Sequence, residues 1–551
     1  MESSFCDPMS IPRRRLYGIP ALFLLAVALP GLNQGWYTGD TRLYAGVALY
    51  SAEHGTMLRE GTLMAGPDLP YFNKPPLVLV IQGLWMSIAG DAMWATRLPT
   101  LCAGLVCVVA TVAGVRRLTG SCAAALCTGV VLALTPEFLR QTHGITLDVW
   151  LAMCFSLGLA CMATGVGREA RDCESTVGVP GTRALRNGNA FWPISCAGIP
   201  MGLSLLVKPL VGVIPMMAFG LWLALTGRRR LIPAWGAAVC VMVLVAAPWH
   251  VWMGLKFGDA FWNQYVLRQS IDRITSGAHG SEPWWYYAAE LARSYWPWGI
   301  TLVLGIAAAV RMRGDAAHPG VEHNKAGAGR RPLQPAAFAG ASIVFGAWCL
   351  LWFAGLHIMT DKTSRYMVSA YPAMAWFSGA WLGHFGGQRL SAALVRWMTC
   401  AAPVALVGCA IAGLAGVRVH PPMPSEWREV FAFLRDRPGA ALWIGPNMSQ
   451  EAAGVYLETG IWPGVAVPVN AAKDGEPPPL ALPLASDHVG TPSPERVILL
   501  RKSALEKHGS SSDEVIFESG SLVLVSPGVD SWTPLQVPRR VEGQRASEEP
   551  T

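Results

Sequence analysis

The sequence predicts an all-α polytopic membrane protein of about eleven transmembrane helices, with a small α/β domain outside the membrane near the C-terminus. Three observations point there. The 551 residues are 52% hydrophobic and only 14% charged, whereas a soluble domain carries roughly a quarter charged residues. Apolar runs such as 94–115, 231–253 and 394–417 are near or above the roughly 18 residues that mark a spanning helix, longer than a soluble core requires. From about residue 419 the charge rises and the apolar runs shorten.

The first run, 16–32, follows Arg13, Arg14 and Arg15, and no small-residue cleavage site comes after it, so it reads as a retained anchor. Further spans read at 94–115, 121–136, 145–166, 191–207, 209–226, 231–253, 297–311, 335–357, 367–386 and 394–417. The apolar stretch 77–89 is too short for a ~30 Å hydrocarbon core at ~1.5 Å per residue. It reads as a helix that dips in or lies at the interface. With the N-terminus in the cytoplasm, the basic clusters at 13–15, 116–117, 168–186, 228–230, 311–331 and 389–396 all fall on inside loops. A full span at 77–89 would turn every later cluster outward. The C-terminal domain is therefore expected on the non-cytoplasmic side of the membrane. None of the thirteen cysteines falls in an expected outer loop or in the tail. Most lie within apolar runs, where Cys behaves as a small hydrophobe.

Residues 1–418 thus form the multi-spanning part, with long outer loops at 33–93 and 254–296. Loops of that length usually carry function. In the small domain, 419–534, the segment 425–435 reads as a capped amphipathic helix, and ALWIG, ERVILL and SLVLVS read as strands. A proline-rich loop, 475–483, lies between them, and 535–551 reads as a disordered tail. The net charge of +7 follows from membrane topology, so no nucleic-acid partner is expected, and there is no glycine-rich phosphate loop.

Two polar residues stand out in the first outer loop. Asp40 lies just past the first span, and Lys74 just before 77–89, with Pro75 and Pro76 fixing the helix entry. They are either a polar site at one membrane face or ordinary interfacial charges. Asp148 lies at the mouth of a span and reads either as a buried acid of a polar site or as the N-cap of the helix it opens. Lys208, followed by Pro209, either lies in a turn at the outer face or snorkels.

An ordered set of motifs over residues 15–385 resembles the lipid A aminoarabinose transferases and protein O-mannosyltransferases. These are GT-C class glycosyltransferases that use polyprenyl-phosphate sugars. Asp40 and Tyr44 match the acidic motif of the first loop, and YFNKPP matches F-x-K-P-P. DAMWATRLP (91–99), THGITLD (142–148), GLSLLVKP (202–209), the 258–298 loop and TDKTSRYMVSAYPA (360–373) follow in the family's order.

The resemblance implies the following roles. Asp40 takes the proton of an acceptor hydroxyl. Lys74, Lys362, Arg365 and Arg268 bind the departing lipid phosphate. Tyr44, Tyr366, Lys208 and His279 contact substrate. Asp148, the second acidic residue, orients the acceptor or anchors Lys74. The implied partners are a polyprenyl-phosphate-linked sugar, membrane lipids, and an acceptor lipid, glycan or protein. The chain departs from the pattern at Thr41, often acidic in the family, and at Asn73, which stands where the aminoarabinose transferases carry Glu. That Glu is implied to bind a divalent metal together with the histidine matched by His279. Asn73 is a poor zinc ligand, which leaves His279 as the remaining metal candidate. Two rival classes stay open: a solute or lipid transporter, and an inactive homologue with a binding role.

Overall fold

The computed structural model describes residues 11–36, 40–66, 69–175, 188–209, 211–271, 282–317, 335–359, 362–385, 388–414, 422–437, 441–444, 449–459, 463–468, 496–509, 513–526 and 532–534. The proline-rich loop and the 535–551 tail lie outside them. The chain divides into two compact units. The first comprises Met1–Gly35 and Phe72–Pro421, and the second Trp36–Tyr71 and Pro422–Thr551.

The first unit is a helical bundle. Among the described residues, six helices are long and apolar enough to cross a bilayer: Arg13–Gly31, Met93–Thr119, Leu147–Glu169, Arg229–Phe257, Phe338–Ile358 and Ala393–Ala412. Two bent pairs add to them. Cys122–Ala133 meets Pro136–Thr142 at 62°, and Tyr286–Ser294 meets Gly299–Met312 at 111°. Leu77–Ala89, Ala190–Leu205 and Val211–Leu225 are shorter apolar helices. Over its described residues, every apolar run read from the sequence is therefore mostly helical, and several of the short runs are broken or bent.

The centre of the bundle is formed by Met93–Thr119 and Leu147–Glu169, 72% and 78% buried, whereas Ala393–Ala412 is only 11% buried. Its exposed Val404, Val407 and Ile411 suit contact with lipid chains. Glycines set the closest approaches. A Cβ on Gly198 would lie 2.2 Å from the Ala238 carbonyl oxygen, and one on Gly379 2.3 Å from the Thr128 nitrogen. Each has a second glycine four residues on, Gly202 and Gly383, facing the same helix. Such small-residue pairs let backbones pack where no hydrophobic force separates helix from lipid.

The first span ends in a break whose carbonyls need donors. Buried Arg97 supplies them: its Nη1 donates to the carbonyls of Gly31, Leu32 and Gln34 at 2.7, 3.1 and 2.5 Å. His143 continues the pattern, its Nε2 lying 2.9 Å from the Ala28 carbonyl and its Nδ1 2.9 Å from that of Leu139. A cation at a helix C-terminus also complements the macrodipole.

The second unit holds a six-stranded sheet of order β4-β5-β3-β1-β2-β6: β1 (Ala441–Ile444), β2 (Gly464–Pro468), β3 (Arg496–Arg501), β4 (Glu514–Ser519), β5 (Leu522–Ser526) and β6 (Trp532–Pro534). β1 pairs parallel with β2 and β3, and the other pairings are antiparallel. The sequence reading found β1, β3 and β5 but not β2, β4 or β6. Ile498, Leu500, Val523 and Val525 form a core against Trp443 and Leu505. The helix Ser425–Arg435 buries Trp427, Val430, Phe431 and Leu434. Contrary to expectation it has no side-chain cap, because Pro424 occupies the cap position. Also in this unit is the helix Asp40–Glu53, from the first outer loop.

Replacing Arg97 with Ala removes a shared donor from the carbonyls of Gly31, Leu32 and Gln34, the first two of them in buried residues. The expected loss is about 1–3 kcal/mol, visible as a lower Tm of the detergent-solubilised protein, with Arg97→Lys recovering part of it. An unchanged Tm would remove Arg97 from its bracing role.

Candidate active site

In the first unit, five stretches far apart in sequence are linked by polar contacts. The first is the motif YFNKPP. Phe72 packs edge-on against Phe257 and Phe261, ring centroids 4.9 and 5.7 Å away. Asn73 Oδ1 accepts a hydrogen bond from Gln264 Nε2 at 2.6 Å. Lys74 is buried. The helix that follows starts with Leu77 N–H donating to the Leu206 carbonyl at 3.1 Å. The lysine's segment is thereby tied both to the second outer loop and to the chain just before Lys208. Arg268, on the Asn263–Ile271 turn with Gln264, is exposed.

Lys208 lies in the turn between the helix Gly198–Leu205 and the 3-10 turn Val211–Val213. Pro209 has no N–H to continue the helix, so the chain breaks there. Lys208 Nζ donates to Asp148 Oδ1 at 2.7 Å, with Asp148 side chain only 4% exposed. Asp148 lies in the first turn of the helix Leu147–Ser175. Its carboxylate partner is thus Lys208, while its backbone carbonyl accepts from Ser369 Oγ at 3.4 Å. The Lys208 ammonium also sits 4.3 Å from the centroid of the Tyr366 ring, and the Arg365 guanidinium carbon 5.7 Å from the same ring. Cation–π contacts of this kind are worth ~2 kcal/mol when desolvated. Tyr366 is itself buried and fixed through its carbonyl, which accepts from Trp352 Nε1 at 2.8 Å. Lys362 Nζ donates to the Glu282 carbonyl at 3.1 Å, joining the 362–366 turn to the end of the second outer loop.

A further network was missed by sequence reasoning. Glu137 is buried and takes two hydrogen bonds from Arg140, Nε to Oε2 at 2.7 Å and Nη2 to Oε1 at 2.6 Å. Gln141 Nε2 donates to it at 2.8 Å, and Arg140 Nη2 also donates to Ser364 Oγ at 3.1 Å. Glu290, also buried, pairs with Arg293 at 2.8 Å and acts electrostatically on Arg140. The signal was present: Glu137 and Arg140 are i,i+3 charges set between apolar runs, where an ionisable residue has a partner or a role.

Asp40 and Tyr44 belong to the second unit. Asp40 is the first residue of its helix, where the helix dipole favours negative charge. Tyr44 is buried, with its hydroxyl donating to Asp40 Oδ2 at 3.4 Å. His279 lies outside the described residues. Asn73 does not suit a zinc ion: an amide oxygen is a weak zinc donor and this one is engaged by Gln264. Among the described residues, no three His, Cys, Asp or Glu side chains gather as a metal site.

The first-unit cluster suits an anion. Lys74, Lys208, Arg268, Lys362 and Arg365 come from the linked stretches, and the Asp148 carboxylate is engaged by Lys208. Removing one partner of a buried ion pair leaves a bare charge, at a cost of about 3–5 kcal/mol. Asp148→Asn and Lys208→Met are each expected to lower Tm markedly, and the double variant less than their sum. Strict additivity of the two losses would show that the pair does not couple.

Residues 73–173 match the family model described as dolichyl-phosphate-mannose-protein mannosyltransferase. The chain is 25% identical over 293 residues to an undecaprenyl phosphate-alpha-4-amino-4-deoxy-L-arabinose arabinosyl transferase of Pseudomonas aeruginosa (strain LESB58). That match covers 50% of this chain and 48% of the relative, so the chain spans about half the length of the curated relative it matches. The crystal structure of ArnT from Cupriavidus metallidurans bound to undecaprenyl phosphate superposes with TM-score 0.63 at 17% identity, covering 92% of this chain and 97% of that one. The apo structure of the same protein gives 0.60 at 17% identity, with coverages of 92% and 96%. With its apolar helical bundle and small sheet-bearing unit, this polytopic membrane protein shares the fold of those two structures.

Proposed function

We propose that this chain transfers a sugar from a polyprenyl-phosphate donor to a lipid A-like acceptor, or to another envelope glycan or protein, at the outer face of a bacterial inner membrane. The observation that carries the reading is the linked set of cations around Tyr366. Lys208 and Arg365 lie against one buried ring, and Lys362 and the Lys74 segment are tied to the same region. Several fixed cations stabilise a phosphate better than mobile water does, because their orientation is set before reaction. The leaving group is already anionic and needs countercharge rather than a proton. The relative from Pseudomonas aeruginosa, named for an undecaprenyl phosphate-linked aminoarabinose, supports this donor class.

In the proposed reaction the acceptor hydroxyl oxygen attacks the anomeric carbon. The bond from that carbon to the phosphate oxygen breaks, and its electron pair leaves with the polyprenyl phosphate. The hydroxyl proton goes to Asp40. A single displacement of this kind inverts the anomeric centre. Lys74, Lys208, Arg268, Lys362 and Arg365 hold the phosphate, and Tyr44 and Tyr366 contact substrate. No step is assigned to a metal, since Asn73 holds the position of the metal-binding Glu. The same departure bears on the sugar, so the donor test pairs a pentose with a hexose.

Purified protein is assayed with undecaprenyl-phosphate-linked aminoarabinose and with undecaprenyl-phosphate-linked mannose. Transfer from one of them is expected, and Asp40→Asn should reduce it by roughly a hundredfold or more, without loss of membrane insertion. Lys74→Ala should raise the donor KM or abolish turnover. Full activity in both variants would defeat the assignment. Solute flux in vesicles that survives Asp40→Asn, without any sugar transfer, would instead favour a transporter.

The proposed orientation puts residues 419–551 in the periplasm. Cysteines introduced singly into that stretch should react with a membrane-impermeant maleimide in intact spheroplasts. Reaction only after lysis would invert the topology.

A further inference from the structure

The second unit joins two stretches separated by several hundred residues of membrane-embedded chain, Trp36–Tyr71 and Pro422–Thr551. Their contacts bracket one helix. At its start, the Arg42 guanidinium lies 4.2 Å from the centroid of the Trp36 ring and 5.6 Å from that of Trp427, with the two rings 5.6 Å apart. Phe431 closes on Trp36 edge-on at 6.3 Å. Arg42 runs past Gly454 on the helix Ser449–Thr459, where an added Cβ would meet Arg42 Cδ at 2.4 Å. At the far end of the same helix, the Tyr456 hydroxyl donates to Glu53 and its ring meets Tyr50 edge-on at 5.5 Å. Ser51 completes the end by donating to the Met64 carbonyl and accepting from the Met64 N–H at 2.9 Å.

We propose that the C-terminal domain is a brace for the Asp40 helix, with Gly454 and Tyr456 as positioning residues that set where the Asp40 carboxylate stands. This rests on Asp40 as the base proposed above. A helix of 14 residues is marginal by itself, since nucleation is costly and a short helix gains few bonds. Its stability must come from packing, and Tyr44, Ala45, Val47, Ala48 and Tyr50 are buried. The two ends are gripped differently. Gly454 is the only residue type that leaves room for the Arg42 stem to lie against its neighbour, which keeps the guanidinium on the two tryptophans. Tyr456 supplies a neutral donor to a carboxylate: burial and the Glu53 contact both push its phenol above the ordinary value, so it stays protonated throughout the working range. Fixing both ends removes the rocking that would displace Asp40, and a misplacement of ~1 Å can cost about a hundredfold in rate.

The test uses the full-length protein in detergent, with amide hydrogen exchange and transfer kinetics read on the same samples. The variants are Gly454→Val, Tyr456→Ala and the milder Tyr456→Phe, which keeps the ring on Tyr50 and loses only the hydrogen bond. Exchange over residues 40–53 is expected to quicken in the first two variants while 496–501 and 522–526 keep their protection. Turnover should fall roughly tenfold or more with donor KM within about twofold of the parent, and Tyr456→Phe should lie between. Unchanged exchange over 40–53 in Gly454→Val and Tyr456→Ala would overturn the brace. So would quickened exchange with undiminished kcat in a protein that Asp40→Asn inactivates. If Asp40→Asn keeps its turnover, the base assignment itself falls, and exchange alone then decides whether the helix is held.

Discussion

A helix that stops inside or at the edge of a bilayer leaves carbonyls and N–H groups that water cannot reach, and in this bundle side chains and backbone groups of other helices satisfy several of them. Most of the polar architecture answers that constraint. Arg97 and His143 take the carbonyls at the end of the first span. Elsewhere side chains add a second bond to carbonyls within helices, Ser369 to that of Asp148 and Trp352 to that of Tyr366. Leu77 takes the Leu206 carbonyl exposed by the break before Pro209. Once helices break in a membrane, charged and polar groups must converge on the breaks. A bundle with several broken spans therefore concentrates its polarity, and that concentration is what a site for a phosphate needs.

The same logic ranks the charges. Asp148 is nearly inaccessible and bonded to one lysine, so it serves first to make Lys208 tolerable at depth. Lys208 is then held over the Tyr366 ring beside Arg365. Glu137 does a comparable job for Arg140, which reaches on to Ser364, next to Arg365. Buried carboxylates thus stand behind exposed or half-exposed cations. The cations are fixed in place by these pairings, an arrangement suited to an anion.

Much of this was legible in the sequence. Low charge and long apolar runs gave the class, since lipid-facing surface needs no charge. The short run 77–89 was identified as unable to span, and it folds as a helix over Leu77–Ala89. The ordered motifs located the stretches that the bundle ties together, including Asp148, Lys208 and Tyr366. Other features left little local trace. β2, β4 and β6 are short strands whose pairing comes from distant partners. Glu137 drew no reading from the sequence, because its partner Ser364 lies more than two hundred residues away. Arg97 read as one letter of a motif, with no indication that it faces three carbonyls.

What the sequence alone determined is the material: a chain of long apolar runs, basic clusters between them, and a set of acids and cations at fixed positions between spans. Periodicity and composition carry that information because the bilayer imposes them one segment at a time. Only the tertiary structure decided the pairings. Asp148 is joined to Lys208 and Asn73 to Gln264, and the Asp40 helix folds with the C-terminal sheet unit despite nearly the whole membrane domain intervening in sequence. Those choices depend on which helix ends meet, and chain contacts over such separations are set by packing rather than by local propensity.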